Sequence, residues 1–559
     1  MAPFAIVVLA ALQGAPQAAG VIESPPARID LTAPQDSLYV GVSLPLMVTG
    51  WTESGERVES VRATFESATS SVAEVDAAGR VYGLRRGTAT ITARSGEATA
   101  STTIRVVPNP AAAYSIRPAP GTLRTGDVVR FTVRAQAAGG ADAGSLLPAW
   151  AVSGAGAEIE AEGSEGVFVA ERPGRYRVSA LIGKDLVRSV AVEVVERQAE
   201  SVFMKVGRGP IATHHSGDVW VFEGLNGRDY AYVGTYWHDW MIAFDVTDPA
   251  NPVPVDSVQV DARRINDVKI HPNRRIGIIT REGASSRRNG IVILDLSAPA
   301  HPKILSEYTE TVTGGVHNVW IRGDVDLVYA CHNGTSDLHI IDISNPLKPR
   351  EVGRWGLEKE DKTLHDVIVQ DGYAYLSYWD DGVVMLDVGA GTHGGTPTRP
   401  SLVSQFKYPI GNTHVAWRHG RYLFAGDEIF PPGWNADAPI DARGYIHVID
   451  YADAERPREV ARYEVPEAGA HNVWVEDDVL YVGYYQGGLR AVDVSGELRG
   501  DLYRQGRELS VIKTSDADSR VPNWPMAWGA QLFKGHIYTS DFNSGLWVTR
   551  LQRSRTLVP

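Results

Sequence analysis

Apolar and polar positions alternate through three short runs after His471: Val473–Asp477, Leu480–Tyr485 and Leu489–Val494, separated by Asp- and Gly-rich breaks. A period of two bounded by turn residues predicts three short strands. The same pattern begins at His317 and His365, and looser copies begin at Asp218, Asn266, Thr413 and near Trp528. The copies recur at roughly 48 residues, the spacing of four-stranded propeller blades rather than of helical repeats.

Each copy reads as an inner strand A, then B, then C ending in Asp-Val/Ile-Ser/Thr, then an outer strand D. Seven A strands begin near Asp218, Asp267, His317, His365, Thr413, His471 and Met526. The last copy stops after strand C at Leu551 and has no D strand of its own. An orphan segment, Ala199–Arg208, is similar to D strands such as Pro349–Trp355 and Pro457–Tyr463. It is expected to pair with the last blade and close a ring over 198–553, which removes exposed strand edges. Residues 554–559 are left as a tail.

Ahead of the array, two regions carry short strands with Gly-rich turns at about 8–12-residue spacing, the pattern of β-sandwiches. They span 21–108 and 109–197, joined by Pro108-Asn109-Pro110. Trp150 is expected in the core of the second. The fold class is therefore all-β, two sandwiches followed by a seven-bladed propeller. The aspartates that end strand C (Asp245, Asp295, Asp342, Asp387, Asp450 and Asp493) are expected to hold turns through Asx-type bonds.

Two resemblances refine this reading. Val72–Asp76, Gly79–Val81 and Gly87–Ala93 resemble the group 2 bacterial Ig-like domain of surface and secreted proteins. The second sandwich looks like a more drifted copy. Strand C, read at Ile291–Ser297, His339–Ser344, His447–Ala452 and Ala491–Ser495, resembles the LVIVD repeat. That resemblance implies an extracytoplasmic propeller and no particular activity, because a fold does not fix a function.

The net charge of −13 argues against nucleic acid and anionic membrane as partners, since both need clustered basic residues. Residues 1–20 hold an apolar run, Phe4–Leu12, followed by small residues. This is the layout of a secretory signal peptide and too short to span a bilayer. An extracytoplasmic protein with no transmembrane segment is expected, as a monomer. Cys331, the single cysteine, has no internal partner and no nucleophile signature around it.

In an up-and-down propeller the D–A and B–C connections share one face. That face gathers His317, His365, His414 and His471 from the starts of four consecutive A strands, with Asp267 and Asp366 beside them. Converging imidazoles and carboxylates suit a divalent metal, zinc or copper in type. The same recurrence also suits a structural bond that satisfies each turn. The B–C loops add Trp379, Asp380, Asp427, Glu428 and Tyr485, and the 426–444 loop is the longest insertion. Aromatic platforms beside carboxylates suit a sugar, peptide or cationic ligand, and paired carboxylates also suit Ca²⁺. No catalytic residue is identified. A secreted or surface binding and scaffold protein is expected, its upper face taking an extracellular protein, glycan or small ligand. The alternative is a metal-dependent extracytoplasmic hydrolase or oxidase built on the four histidines.

Overall fold

The computed structural model describes residues 26–55, 57–58, 60–198, 201–408 and 411–553. The expected signal segment, the first two residues of the closing strand and the tail 554–559 lie outside the described residues. Every described element is a strand, and no helix is long and apolar enough to cross a membrane.

Arg28–Thr32 to Ala98–Val107 make the first sandwich, in which Ser37–Tyr39 runs parallel to Arg105–Val107. Ala111–Arg117 to Val187–Val195 make the second, with two four-stranded sheets and the same parallel pairing of Leu123–Arg124 with Val194–Val195. Trp150 lies in its core beside Phe131 and covers Gly166, where a Cβ would meet the indole at 2.4 Å.

Among the described residues seven four-stranded sheets follow, one of them with a short fifth strand. Their inner strands are His215–Glu223, Val268–Ile270, Val316–Arg322, Asp366–Gln370, Thr413–His419, Val473–Glu476 and Ala527–Phe533. Ser201–Pro210 pairs antiparallel with Gly545–Arg553 and supplies the outer strand of the seventh sheet. Gln531 then ties the last inner strand to the first, accepting from the Val221 N–H at 2.7 Å and donating to its carbonyl at 3.0 Å. Gln370 bridges to Arg418 in the same way. Such side-chain rivets satisfy inner-strand backbone groups that no ladder reaches. The strand-C aspartates behave as expected: Asp245, Asp295, Asp342, Asp387, Asp450 and Asp493 each accept the N–H two residues on, at 2.9–3.0 Å.

Register slips near the starts of inner strands one, three, five and seven, for example between Val316 and Val319. A bulge of this kind re-aims side chains. It lets neighbours such as His317 and Asn318 serve the axis and the adjoining blade at once.

The second sandwich does not hang free. Blade six's C–D connection reaches out, and its Gly500–Asp501 pairs parallel with strand D of blade five. Arg130 meets Glu497 at 2.7 Å, Arg458 meets Glu162 at 2.8 Å, and the Thr125 hydroxyl donates to the Gln505 carbonyl at 2.7 Å. Arg197, largely buried, joins Asp127 (2.7 Å) to Asp493 (3.0 Å). Removing one partner from such a pair leaves charges without compensation. Arg197→Ala is expected to loosen this docking by about 2 kcal/mol, the scale of a hydrogen bond to a charged group, seen as faster proteolytic cleavage between the sandwich and Ser201.

Candidate functional site

At the upper mouth of the channel the four histidines stand in an arc. Ring centroids lie 4.5 Å apart for His317–His365, 4.2 Å for His365–His414 and 3.9 Å for His414–His471. The bonds on their δ nitrogens fix what the rings offer. His365 Nδ1 lies 3.2 Å from the His414 carbonyl and His471 Nδ1 lies 2.5 Å from the Trp528 carbonyl. A carbonyl only accepts, so both δ nitrogens carry the proton. His317 Nδ1 likewise faces Glu282 Oε1 at 2.7 Å. These three imidazoles, when neutral, are left with a lone pair on Nε2. His414 Nδ1 and His471 Nε2 are buried with no partner. Holding the far nitrogen with a carbonyl or carboxylate is how proteins orient metal-binding histidines.

Electrostatics agree. Burial, then the neighbouring imidazoles, hold His365 and His414 well below the ordinary histidine value, and burial brings His471 down to about 3. Neutral rings are the form that binds metal. Burial alone would raise Glu282, but His317 and Arg264 bring it below its usual range. Glu428 lies 3.5 Å from His471 Nε2 and 4.0 Å from His414 Nε2, and burial pushes it up to about 7. Ligand atoms of His365, His414 and Glu428 all fall within 4.8 Å of one another. Imidazole nitrogens with a single carboxylate fit a borderline transition ion. They do not offer the six to eight oxygens of a Ca²⁺ site.

A cavity of about 320 Å³ opens beside this arc. Trp379 lines it, its ring 5.0 Å from His365, opposite Trp528 at 4.3 Å from His471. The 426–444 insertion folds over the mouth, where Phe430 and Trp434 stack at 4.8 Å and line the cavity. Asp437 in that loop reaches across to Arg520 at 2.6 Å. Tyr485 is fully buried, donates its hydroxyl to Glu428 and packs against His471. Trp379 and Tyr485 occupy equivalent B–C turn positions, and both have φ of +38°. Bulky residues in this left-handed region are strained and need a surrounding structure that enforces it.

Other expected ligand residues stand elsewhere. Asp427 is buried facing away, bonded to His447 Nε2 at 2.8 Å. Asp267 pairs with Lys269 and accepts the Val319 N–H at 2.9 Å, so it rivets blades together. Asp366 faces the channel below the histidines, where burial pushes it up to about 8. Asp380 is exposed on its turn and does not line the cavity. Cys331 is buried and unpaired, and burial raises its thiol well above the usual value. Among the cavity residues not singled out from the sequence are three that meet one another: Glu282, Arg264 and Asn333. Glu282 receives the Asn333 amide at 2.9 Å and sits 3.5 Å from Arg264, whose guanidinium covers the Tyr236 ring at 3.9 Å. Their one signal was position, on D–A and B–C connections of the same face.

Residues 27–106 match the bacterial Ig-like domain (group 2), and 215–260, 286–310, 313–356, 363–407 and 468–497 match the LVIVD repeat. Among curated proteins none matches the chain. The solved β-propeller domain of Myceliophteria thermophila Cps50 (Swd1) is similar at 11% identity and a TM-score of 0.41, covering 62% of this chain and 99% of that one. The computationally designed Ika8 protein is similar at 9% identity and a TM-score of 0.37, covering 70% and 94%. Both domain types are typical of extracytoplasmic proteins. The chain thus carries a group 2 bacterial Ig-like domain followed by LVIVD repeats in an all-β propeller architecture.

Proposed function

We propose that this chain is an extracytoplasmic binding protein whose propeller holds one divalent transition ion at its upper mouth and uses it to take a small ligand. The observation that carries the reading is the buried convergence of His365, His414 and Glu428, whose ligand atoms lie within 4.8 Å of one another, with His471 Nε2 3.5 Å from Glu428. The ring nitrogens of His365, His414 and His471 and the Glu428 carboxylate would hold the ion. The aromatic wall of Trp379, Trp434 and Trp528 would cover a ligand bound next to it, and Arg264 would favour one with an acceptor or negative group. The Ig-like modules act as the scaffold that presents this face.

A second reading, a metal-dependent hydrolase or oxidase, is favoured by the cavity itself. Structural metal sites are closed by protein ligands, whereas reactive ones keep an open position. Space of about 320 Å³ next to the donors provides such a position. The test common to both readings is elemental analysis of purified full-length protein loaded with Zn²⁺ or Cu²⁺ and then dialysed. About one equivalent should be retained. Retention of no stoichiometric metal would refute both readings.

A further inference from the structure

The lower end of the channel has a chemistry of its own. Strand A of blades one, three, five and six carries a tryptophan two or three residues before its end: Trp220, Trp320, Trp417 and Trp474. The four rings form a closed collar. Trp220 stands 6.3 Å from Trp320 at 85°, Trp320 stands 6.4 Å from Trp417 at 80°, and Trp474 stands 6.4 Å from Trp220 at 66°. The fourth corner, Trp417 with Trp474, is tighter, at 4.7 Å and 42°. Centroids this far apart around four corners put each ring roughly 4–4.5 Å from a common axis, inside the reach of about 6 Å at which a ring face attracts a cation.

The space between them is real and faces solvent. Each of the four indoles is half-buried, and all four line a cavity of about 60 Å³. That is several times the roughly 10–15 Å³ at which a cavity first admits a water, so the space has room for a small group. Asp218 and Asp366 line its inner end. Lys269 forms part of the wall, with Nζ 5.1 Å from the Trp220 centroid. Its charge is matched by Asp267, to which it is paired, so the ring faces carry the attraction.

We infer that this collar is an aromatic cage for a small organic cation of the quaternary ammonium class, distinct from the histidine site on the opposite face. Ring faces supply attraction without asking the ligand for a hydrogen-bond donor, which a quaternary nitrogen lacks. A neutral molecule of the same shape would gain apolar burial but not the attraction to the ring quadrupoles. A simple hydrophobic plug, by contrast, would bind both alike or bind neither.

The experiment titrates full-length protein, with a chelator present so that the upper site is metal-free, using choline chloride and its uncharged isostere 3,3-dimethylbutan-1-ol. Calorimetry should show saturable binding of choline and at least a tenfold weaker response to the alcohol. Trp320→Ala and Trp417→Ala should each weaken choline binding at least tenfold. Trp417→Phe, which keeps a ring and tests against simple misfolding, should weaken it only two- to threefold. Trp51→Ala, in the first sandwich, should leave it unchanged. Absence of saturable choline binding, equal binding of the alcohol, or loss on Trp51→Ala instead of the collar variants would overturn the assignment.

Discussion

Replacing His414 and His471 together with alanine is expected to lower the affinity for Zn²⁺ at least about a hundredfold, since loss of one orienting partner alone costs about 10–100-fold. Each ring has a buried nitrogen that no protein group takes, His414 Nδ1 and His471 Nε2, so binding needs little reorganisation. Alanine removes the donor outright. Competition against a chromophoric chelator measures the change directly. A thermal readout separates loss of metal from loss of fold. At metal concentrations a hundred times the dissociation constant, a protein gains about 2.7 kcal/mol from a ligand that binds only the native state. The wild type should show that gain, while the double variant, at least a hundredfold weaker, should keep about 0.4 kcal/mol of it or less. Glu282→Gln gives the intermediate case, because it keeps the shape beside His317 and removes the charge that polarises the ring. Unchanged affinity in the double variant would mean that the histidines serve only to satisfy turns.

That arc was legible in the sequence because an up-and-down blade has one free parameter, the register of strand A. Once the repeats are aligned, residues from distant blades fall on one face. What alignment did not resolve is side-chain direction over a single residue. Asp427 and Glu428 are consecutive at the end of a strand, and in extended chain successive side chains point to opposite sides. Glu428 therefore enters the mouth while Asp427 turns into the blade towards His447. Asp366 follows His365 by one position and faces the lower channel for the same reason. Bulges break this alternation in some blades but not others, which an unaligned sequence does not mark. Glu282 and Arg264 were hidden differently. Each lies in a polar loop of ordinary composition, and only the ring brings those loops to the histidines. The docking of the second sandwich rests on long-range arginine–carboxylate pairs, which carry no local signal at all.

His447→Gln is expected to destabilise the native state by about 3–5 kcal/mol below pH 6.5, the usual effect of removing one partner from a buried charge pair. The ring is almost wholly buried, with Nε2 at 2.8 Å from Asp427 and Nδ1 at 3.0 Å from Glu459. Tyr408 stacks on it at 3.8 Å. Burial by itself would favour the neutral ring, but the two carboxylates reverse that and raise it to about 9. An unfolded histidine titrates near 6.5, so the native state binds the proton more tightly by about 3 kcal/mol. Because the folded value is the higher one, this contribution is complete below about pH 6.5 and disappears as pH rises through 9. Urea midpoints of the wild type should therefore fall across that window more steeply than those of the glutamine variant. Asp366, pushed up to about 8, titrates in the same range but is present in both proteins, so the difference between the two curves isolates His447. Parallel curves would mean that the ring is neutral and that its carboxylate neighbours share a proton instead.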